Sequence, residues 1–409
     1  MKAGWTTKTI ADVCSVVNGG TPKTGVSEYW DGAHQWITPA EMGKRSTPYV
    51  AKTERSITDA GIQNSSARLL PPLSVILSSR APIGHLVINT EPMATNQGCK
   101  GLVPSDDLNH KYLYYYLSSI VQLLNDLGAG ATFKELSGGK LKEVPIPLPQ
   151  LAEQQRIVAI LDEAFEAIAA ARANAEQNRL NARALFESYL QSVFSQRGEG
   201  WIETTIAAAT GGVFTGPFGS LLHKSDYIEN GIPLVNPAHI TNVGIEPDLR
   251  KTVSKATAQR LSSYIMRTGD IVIGRRGEMG RCAIVTDVED GWLCGTGSFV
   301  IKPSDRCDAR YLVRLLRSES CKNQLEKIAG GAVMPNLSNT DLSNFSIMLP
   351  PIDMQRSALD KIDTMAEETQ RLESLYQRKI VALDELKQSL LQQAFSGQLD
   401  TTRQEVLTV

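Results

Sequence analysis

A chain of 409 residues that repeats itself, in order, over nearly its whole length is constrained to build one architecture twice. Trp5 and Ile10 recur 196 residues later as Trp201 and Ile206. The same offset carries Gly20 onto Gly216, Thr24 onto Ser220, Arg80 onto Arg276 and Gly84 onto Gly280. The strand-like runs Ser74-Val75-Ile76-Leu77 and Asp270-Ile271-Val272-Ile273 stay in register with them. After a small insertion the offset becomes 199, matching Tyr112-Leu113 to Tyr311-Leu312. It then becomes 201, matching Leu136-Ser137 to Leu337-Ser338 and Pro149 to Pro350.

Each copy ends in an apolar, proline-bearing extended segment, Val144 to Pro149 or Phe345 to Pro350, that opens into a long helical pattern. Apolar residues recur at spacings of three and four from Leu151 to about Ser195 and from Ile352 to about Ser396, with no proline or glycine after the first turn. Roughly 45 residues at ~1.5 Å each give a helix of ~65 Å, which needs a partner along its length. The simplest partner is the other copy, in an antiparallel coiled coil. Its expected seam is Ile157, Leu161, Phe165, Ile168, Tyr189 and Val193 on the first helix, and Leu359, Ile362, Leu372, Leu383 and Leu390 on the second. The run Ala167-Ile168-Ala169-Ala170-Ala171 suits close interhelical approach. The competing reading, an ordinary surface helix, does not explain the matched lengths and duplicated positions.

The expected class is α+β: two mixed α/β heads joined by two long helices, with a pseudo-two-fold internal repeat. The first head spans residues 1–150, the central helix 151–198, the second head 199–350, and the C-terminal helix with its tail 351–409. Within the heads, Leu86-Val87-Ile88 and Cys282-Ala283-Ile284-Val285 read as strands, and one helix is expected over Tyr112 to Leu127 or Tyr311 to Ile328. Tyr114-Tyr115-Tyr116 lies on that helix and reads as core or subunit contact rather than a base-stacking platform.

Chemistry is hard to find. Six scattered cysteines lack any CxxC pair and read as reduced core thiols, and five histidines lack metal-type spacing, so no metal is expected. Gly19-Gly20-Thr21-Pro22-Lys23-Thr24-Gly25 lacks the spacing of a phosphate loop, and Gly274-Arg275-Arg276-Gly277-Glu278-Met279-Gly280 reads as an arginine-bearing β-turn. No methyltransferase motif or nuclease cluster is visible, so no catalytic residue and no cofactor are assigned to this chain. Met1 to Thr7 holds no apolar leader and no span suits a membrane, which places the protein in the cytoplasm. A net charge of −2 and a pI near 6.3 argue that it either does not bind nucleic acid or binds with help.

The order of these parts, in duplicate, resembles the specificity subunit of Type I restriction-modification systems. The resemblance rests on Asn18-Gly19-Gly20-Thr21-Pro22 and Trp36-Ile37, on Gly216-Pro217-Phe218-Gly219-Ser220, and above all on the passage Pro145 to Gln155; it covers residues 1 to about 400. It implies that each head is a target-recognition domain reading one half of a bipartite, asymmetric DNA site. It also implies docking of two modification subunits, which hold S-adenosylmethionine and methylate adenine. Through them would come restriction subunits that use ATP and Mg2+. Those partners would supply the positive surface that this chain lacks. A fused methyltransferase-nuclease and a protein-binding scaffold remain the alternatives.

The repeat also sorts candidate contacts. Positions identical in both heads are expected to hold the fold or grip phosphate, and differing positions in matched loops to read different bases. Arg80 and Arg276 fall in the first class, as phosphate contacts or structural ion pairs. In the second, Lys23 stands opposite Gly219, Ser79 opposite Arg275, and Lys134-Glu135 opposite Pro335-Asn336. Arginine and lysine can read guanine and asparagine can read adenine, so Lys23, Arg275, Lys134 and Asn336 are the base-edge candidates. Thr21, Thr24, Ser220, His223 and Lys224 complete the candidate set, and Gly20 and Gly216 read as turn glycines.

Overall fold

The computed structural model describes residues 2, 4–130, 134–330 and 335–401. It divides into two compact units, Met1–Glu176 with Gln377–Val409 and Gln177–Tyr376. Each unit therefore takes one head and half of each long helix, because the two halves of a helix pack on different heads.

In the first unit, β-branched and apolar runs build a five-stranded sheet in the order Cys14–Asn18, Cys99–Pro104, Val75–Ser79, Ile83–Asn89, Tyr49–Val50. A three-stranded sheet of Arg55–Ile57, Trp30–Ile37 and Met93–Thr95 lies beside it. The strand Thr6–Thr9 pairs antiparallel with the proline-bearing exit strand Pro145–Leu148. The second unit repeats the plan. Val213–Thr215, Ser298–Ile301, Ile271–Gly274 and Cys282–Ile284 form one sheet. A second sheet has the order Tyr227–Ile228, Thr252–Val253, Ile232–Val235, Leu293–Cys294, and Ile202–Thr205 pairs with Ser346–Leu349. All six cysteines are free and buried, and burial pushes each thiol up to about 12.

The single helix expected in each head is two: His110–Ser119 and Val121–Leu127 in the first, Ala309–Arg317 and Glu319–Ile328 in the second. Ile120 turns out of helical geometry at φ −111, ψ 19. Ser318 adopts extended geometry and caps the next helix by accepting from the Cys321 N–H at 3.4 Å. Tyr115 and Tyr116 are buried and Tyr114 packs against the same core.

The long helices run Leu151–Ser195 and Ile352–Ser396, 45 residues each. In the first unit their segments run antiparallel, since partner numbers fall as helix numbers rise. Glu153 meets Thr401 at 2.8 Å, Phe165 meets Lys387, whose Nζ lies 5.1 Å from the ring centroid, and Arg172 meets Asp384 at 3.2 Å. In the second unit, Tyr189 lines a groove with Asp360, Lys361, Thr364 and Met365, and Phe194 packs on the core that holds Leu359.

Ile157, Leu161, Ile168, Val193, Leu359 and Ile362 of the expected seam are buried, and Phe165, Tyr189, Leu383 and Leu390 are half-buried. Leu372 is not part of it. It is 39% exposed, because the seam passes instead through Thr369, Glu373 and Tyr376, and Leu185 and Leu386 likewise face outward. The alanine run also departs from expectation: Ala167, Ala169 and Ala170 are exposed, while the inward positions are Ile168 and Ala175, one heptad apart.

Each long helix is fastened at its start by a glutamine that has no exposed surface. Gln154 accepts from the Asn109 N–H at 2.9 Å and donates to the carbonyls of Asp107 and Pro149, both at 2.9 Å. Gln355 repeats the set, accepting from Asp308 at 2.9 Å and donating to Arg306 at 2.9 Å and Pro350 at 2.8 Å. Replacing the fully buried Gln355 by leucine strands three backbone groups, the Pro350 carbonyl buried and the Asp308 N–H and Arg306 carbonyl half-buried, and a buried orphan costs about 1–3 kcal/mol. We expect a loss of several kcal/mol in urea unfolding for Gln355→Leu. The exposed control Gln392→Leu should stay within about 0.5 kcal/mol of the parent.

Candidate nucleic-acid interface

In each head the same three backbone segments meet at the end of a central strand. The Ser79 N–H donates to Gly98 O at 2.7 Å, and Ser79 O accepts from the Leu136 N–H at 2.9 Å. In the second head the Arg275 N–H donates to Gly297 O at 2.9 Å and Arg275 O accepts from Leu337 at 2.9 Å. One residue further on, Arg80 bridges to Glu135 and Arg276 to Asn336. The repeat thus holds at the level of individual hydrogen bonds.

The side chains hung on this frame differ in charge. In the first head Arg80 lies 3.8 Å from the Glu135 carboxylate and the buried Lys100 lies 4.0 Å from it, so two cations share one anion. In the second head Phe299 occupies the place of Lys100 and Asn336 that of Glu135. Arg275 stacks 5.3 Å from the Phe299 centroid and donates to Asn336 Oδ1 at 3.2 Å, and Arg276 donates to the same oxygen at 3.4 Å. Two guanidiniums there share a neutral amide, and no carboxylate pairs with either among the described residues. Burial first, then the charge of Arg276, pushes the Arg275 pKa below its ordinary value. An arginine still holds its proton under such a shift, so this is an anion-seeking site.

Beside the frame in the first head sits the loop after Asn18. Its base is fixed by Gly19 N–H to Cys99 O at 3.1 Å and Gly20 N–H to Thr95 O at 2.8 Å. Asn96 donates to the Thr21 hydroxyl at 3.0 Å and accepts from the Gly98 N–H at 2.8 Å, which links the loop to the strand end. Lys23 and Thr24 stand exposed at its apex, and Lys134 is exposed next to Glu135. In the second head Ser220 lies in an exposed 3-10 turn, Gly219–Leu221, and His223 and Lys224 are exposed at the start of the next one. There the Asp226 carboxylate accepts from the His223 N–H at 2.8 Å, and that bond holds the carboxyl below its ordinary pKa.

Two sequence expectations are corrected here. Ser79 is fully buried and its hydroxyl meets no partner, so it cannot touch a duplex while its strand stays paired. Gly20 and Gly216 are not positive-φ turn residues. A Cβ on Gly20 would lie 2.2 Å from Ala67 N, and one on Gly216 2.0 Å from Gly295 O, so glycine is required by close backbone approach. Asn96, Lys100, Asn236 and Arg260 escaped the sequence reading. A signal for the first was available, since Asn96-Gln97-Gly98 matches Gly295-Thr296-Gly297 at the 199 offset.

Among the described residues no group of three or more metal-type side chains comes together, and no helix is long and apolar enough to cross a membrane. The sequence matches the family described as Type I restriction modification DNA specificity domain twice, over residues 2–180 and 211–380. It is 27% identical to the MjaIX specificity subunit of Methanocaldococcus jannaschii over 97% of this chain and 93% of that one. It is 31% identical to the EcoR124I/EcoR124II specificity subunit of Escherichia coli over 38% of this chain and 40% of that one. In fold it is similar to the HsdS subunit of Thermoanaerobacter tengcongensis, with a TM-score of 0.67 at 19% identity over 98% of both chains. A chain from work on complex assembly and conformational transition of the type I R-M system gives 0.74 at 18% identity, over 98% of this chain and 99% of that one. With two such matches laid on two heads that share one strand-end backbone frame, this chain belongs to the Type I restriction-modification specificity subunits, the DNA-recognition and non-catalytic component of those enzymes.

Proposed function

We propose that the chain reads a bipartite, asymmetric DNA site, one half by the head at residues 1–150 and the other by the head at 199–350. The observation that carries this reading is the duplicated strand end, one frame with Ser79, Lys100 and Glu135 in the first head and Arg275, Phe299 and Asn336 in the second. A shared frame with different side chains is what two different half-sites require. Arg80 and Arg276 grip phosphate, and Lys23 and Arg275 reach base edges or phosphate. Lys134 in the first head and Asn336 in the second are further base-edge contacts, His223 and Lys224 touch the DNA backbone, and Thr21, Thr24 and Ser220 complete the DNA-facing set. The central and C-terminal helices, 151–198 and 351–409, dock two modification subunits and, through them, restriction subunits. S-adenosylmethionine, ATP and Mg2+ belong to those partners, which act with this chain in the cytoplasm.

A net charge of −2 supports the dependence on partners, since phosphate neutralisation supplies most non-specific affinity. Alone the chain should bind a duplex weakly, whereas with modification subunits it should bind tightly and with strong salt dependence. Equal affinity with and without the partners overturns this. In the complex, Arg276→Ala should weaken binding about equally on all sequences and reduce the salt slope by about 1. Arg275→Ala should instead relax one base position, at about 1–3 kcal/mol of discrimination. Salt-titrated binding on a matched and a mismatched duplex separates the two effects.

Residues 1–198 hold one head and one complete long helix. As a fragment they should pair as a homodimer, with Phe194 filling the place on Tyr112 and Tyr116 that Phe395 holds in the full chain. With modification subunits this dimer should methylate a palindrome of the first half-site. A folded monomer, or a motif without symmetry, refutes the interchangeability of the two helices.

A further inference from the structure

The exposed apex of each candidate loop is held from below, and the two heads use unrelated devices to do it. In the first head two indoles reach the loop. Trp36 Nε1 donates to Gly20 O at 2.9 Å, and Trp30 Nε1 donates to Lys23 O at 3.3 Å. The rings are nearly perpendicular, with centroids 5.1 Å apart, and the Arg55 guanidinium lies 3.7 Å over the Trp30 ring and 5.5 Å from that of Trp36. Trp30 and Trp36 are buried, so their N–H groups lose water and depend on those two carbonyls. The Arg55 guanidinium covers the Trp30 ring in a cation–π contact, which adds to the packing that holds the pair.

Among the described residues of the second head no indole donates to the loop. The Arg260 side chain spans it instead, donating from Nη1 to Leu221 O at 2.7 Å and from Nη2 to the Asp226 carboxylate at 2.9 Å. Asp226 in turn accepts from the His223 N–H at 2.8 Å. A single guanidinium thus ties Leu221, at the end of the turn Gly219–Leu221, to Asp226, which caps the turn Lys224–Asp226, fixing the chain on both sides of the exposed His223 and Lys224 and directly after Ser220.

We propose that Trp30 and Trp36 in the first head, and Arg260 with Asp226 in the second, are positioning residues that set which bases each head accepts, without touching DNA. This rests on the reading that each head recognises one half-site. The physical argument is geometric. A side chain that reads a base edge must be held to about 0.5 Å, and a loop tip keeps that accuracy when its carbonyls are tied to groups that are themselves fixed by packing or by an ion pair. Loosening the clamp lets the apex sample neighbouring positions, so wrong bases are accepted while the right one is still bound.

The test uses the full chain with its modification subunits and reads the methylated motif by single-molecule sequencing. Trp30→Phe keeps an aromatic ring beneath Arg55 and removes the donor to Lys23 O together with one ring of the indole. Arg260→Gln removes the link between Leu221 and Asp226 at a side chain that is about half exposed. Trp30→Phe should raise methylation at sites with one wrong base in the first half by about five- to tenfold, as expected for one lost hydrogen bond, and leave the second half unchanged. Arg260→Gln should do the reverse. A merely structural role would lower methylation at both halves together, with no change of motif. Unchanged motifs in both variants, or relaxation in the wrong half, overturn the proposal. If Trp30→Phe fails to assemble, Arg260→Gln decides alone. A parent motif that is not in two parts would overturn the reading of the heads and this proposal with it. A two-part parent motif with unmoved variants overturns only the clamps.

Discussion

Everything downstream of the heads depends on where each long helix leaves its sheet, and a single buried amide fixes that in each copy. Gln154 and Gln355 sit one turn into the helix, fully out of solvent, each with three hydrogen bonds to the main chain. An amide with both ends engaged leaves the helix no second orientation at low cost, since any rotation strands a donor or an acceptor. Two turns later a carboxylate repeats the control. Asp162 takes Lys111 and the Tyr115 hydroxyl, both at 2.5 Å, and Asp363 takes Arg314 at 3.0 Å and Arg310 at 3.9 Å. The partners differ in chemistry, phenol and ammonium in one copy and two guanidiniums in the other. The anchor point on the helix is the same.

Once that exit is fixed, each head is completed by the end of the other copy's helix. Phe395 closes on Tyr112 and Tyr116 with centroids 5.1 and 5.2 Å apart, and Leu391 and Ala394 are buried in the same core. In the second unit Phe194 closes on Tyr311 at 5.5 Å. The exchange makes a pair of repeats into one chain that cannot be cut into independent halves at the sequence boundary. Residues near 112 and near 395 must meet before either is fully desolvated, a contact of very high sequence separation. Lys2, Glu153 and Thr401 tie the same region together. There burial opposes the charged form of Glu153, but bonds from Lys2 and Thr401 outweigh it and hold the carboxyl below its ordinary pKa.

The long helices, expected from Leu151 to about Ser195 and from Ile352 to about Ser396, were legible from the sequence because absence of glycine and proline and an apolar period of three and four are local properties. Their seam was less so. Leu372 fits the spacing as well as Tyr376 does, and only the phase set by Gln355, Leu359 and Ile362 decides that it faces outward. The break at Ile120 escaped for a similar reason, since isoleucine does not mark a helix end, whereas Ser318 in the other copy does. The repeat exposed the strand-end frame, since Arg80 and Arg276 match by offset. The clamps could not be found that way. Trp36 reaches Gly20 across 16 residues and Arg260 reaches Leu221 across 39, and among the described residues neither bond is repeated in the other head. A device that differs between copies leaves no trace in an internal comparison.

That difference shows how one scaffold supports two readings. Where the backbone demands a bond, both heads supply it, and the source of the side chain is free to change. The Gly98 N–H is met by Asn96 from its own turn at 2.8 Å, and the matched Gly297 N–H by Asn236 from a separate strand end at 3.2 Å. The amide is constant and its address is not: with Asn236 supplying it, position 295 is a glycine, where a Cβ would lie 2.4 Å from Asn236 Oδ1. The same freedom operates on charge. Lys100 needs Glu135 because a buried ammonium without an anion is costly, and the pair therefore comes or goes together; Phe299 removes the ammonium, and Asn336 can then replace the carboxylate. Losing that carboxylate is what leaves Arg275 and Arg276 unneutralised. The exchange removes one charge of each sign, and Arg275, standing where the first head has Ser79, adds a cation, so two cations on one anion become two cations on a neutral amide with every backbone hydrogen bond of the frame left in place.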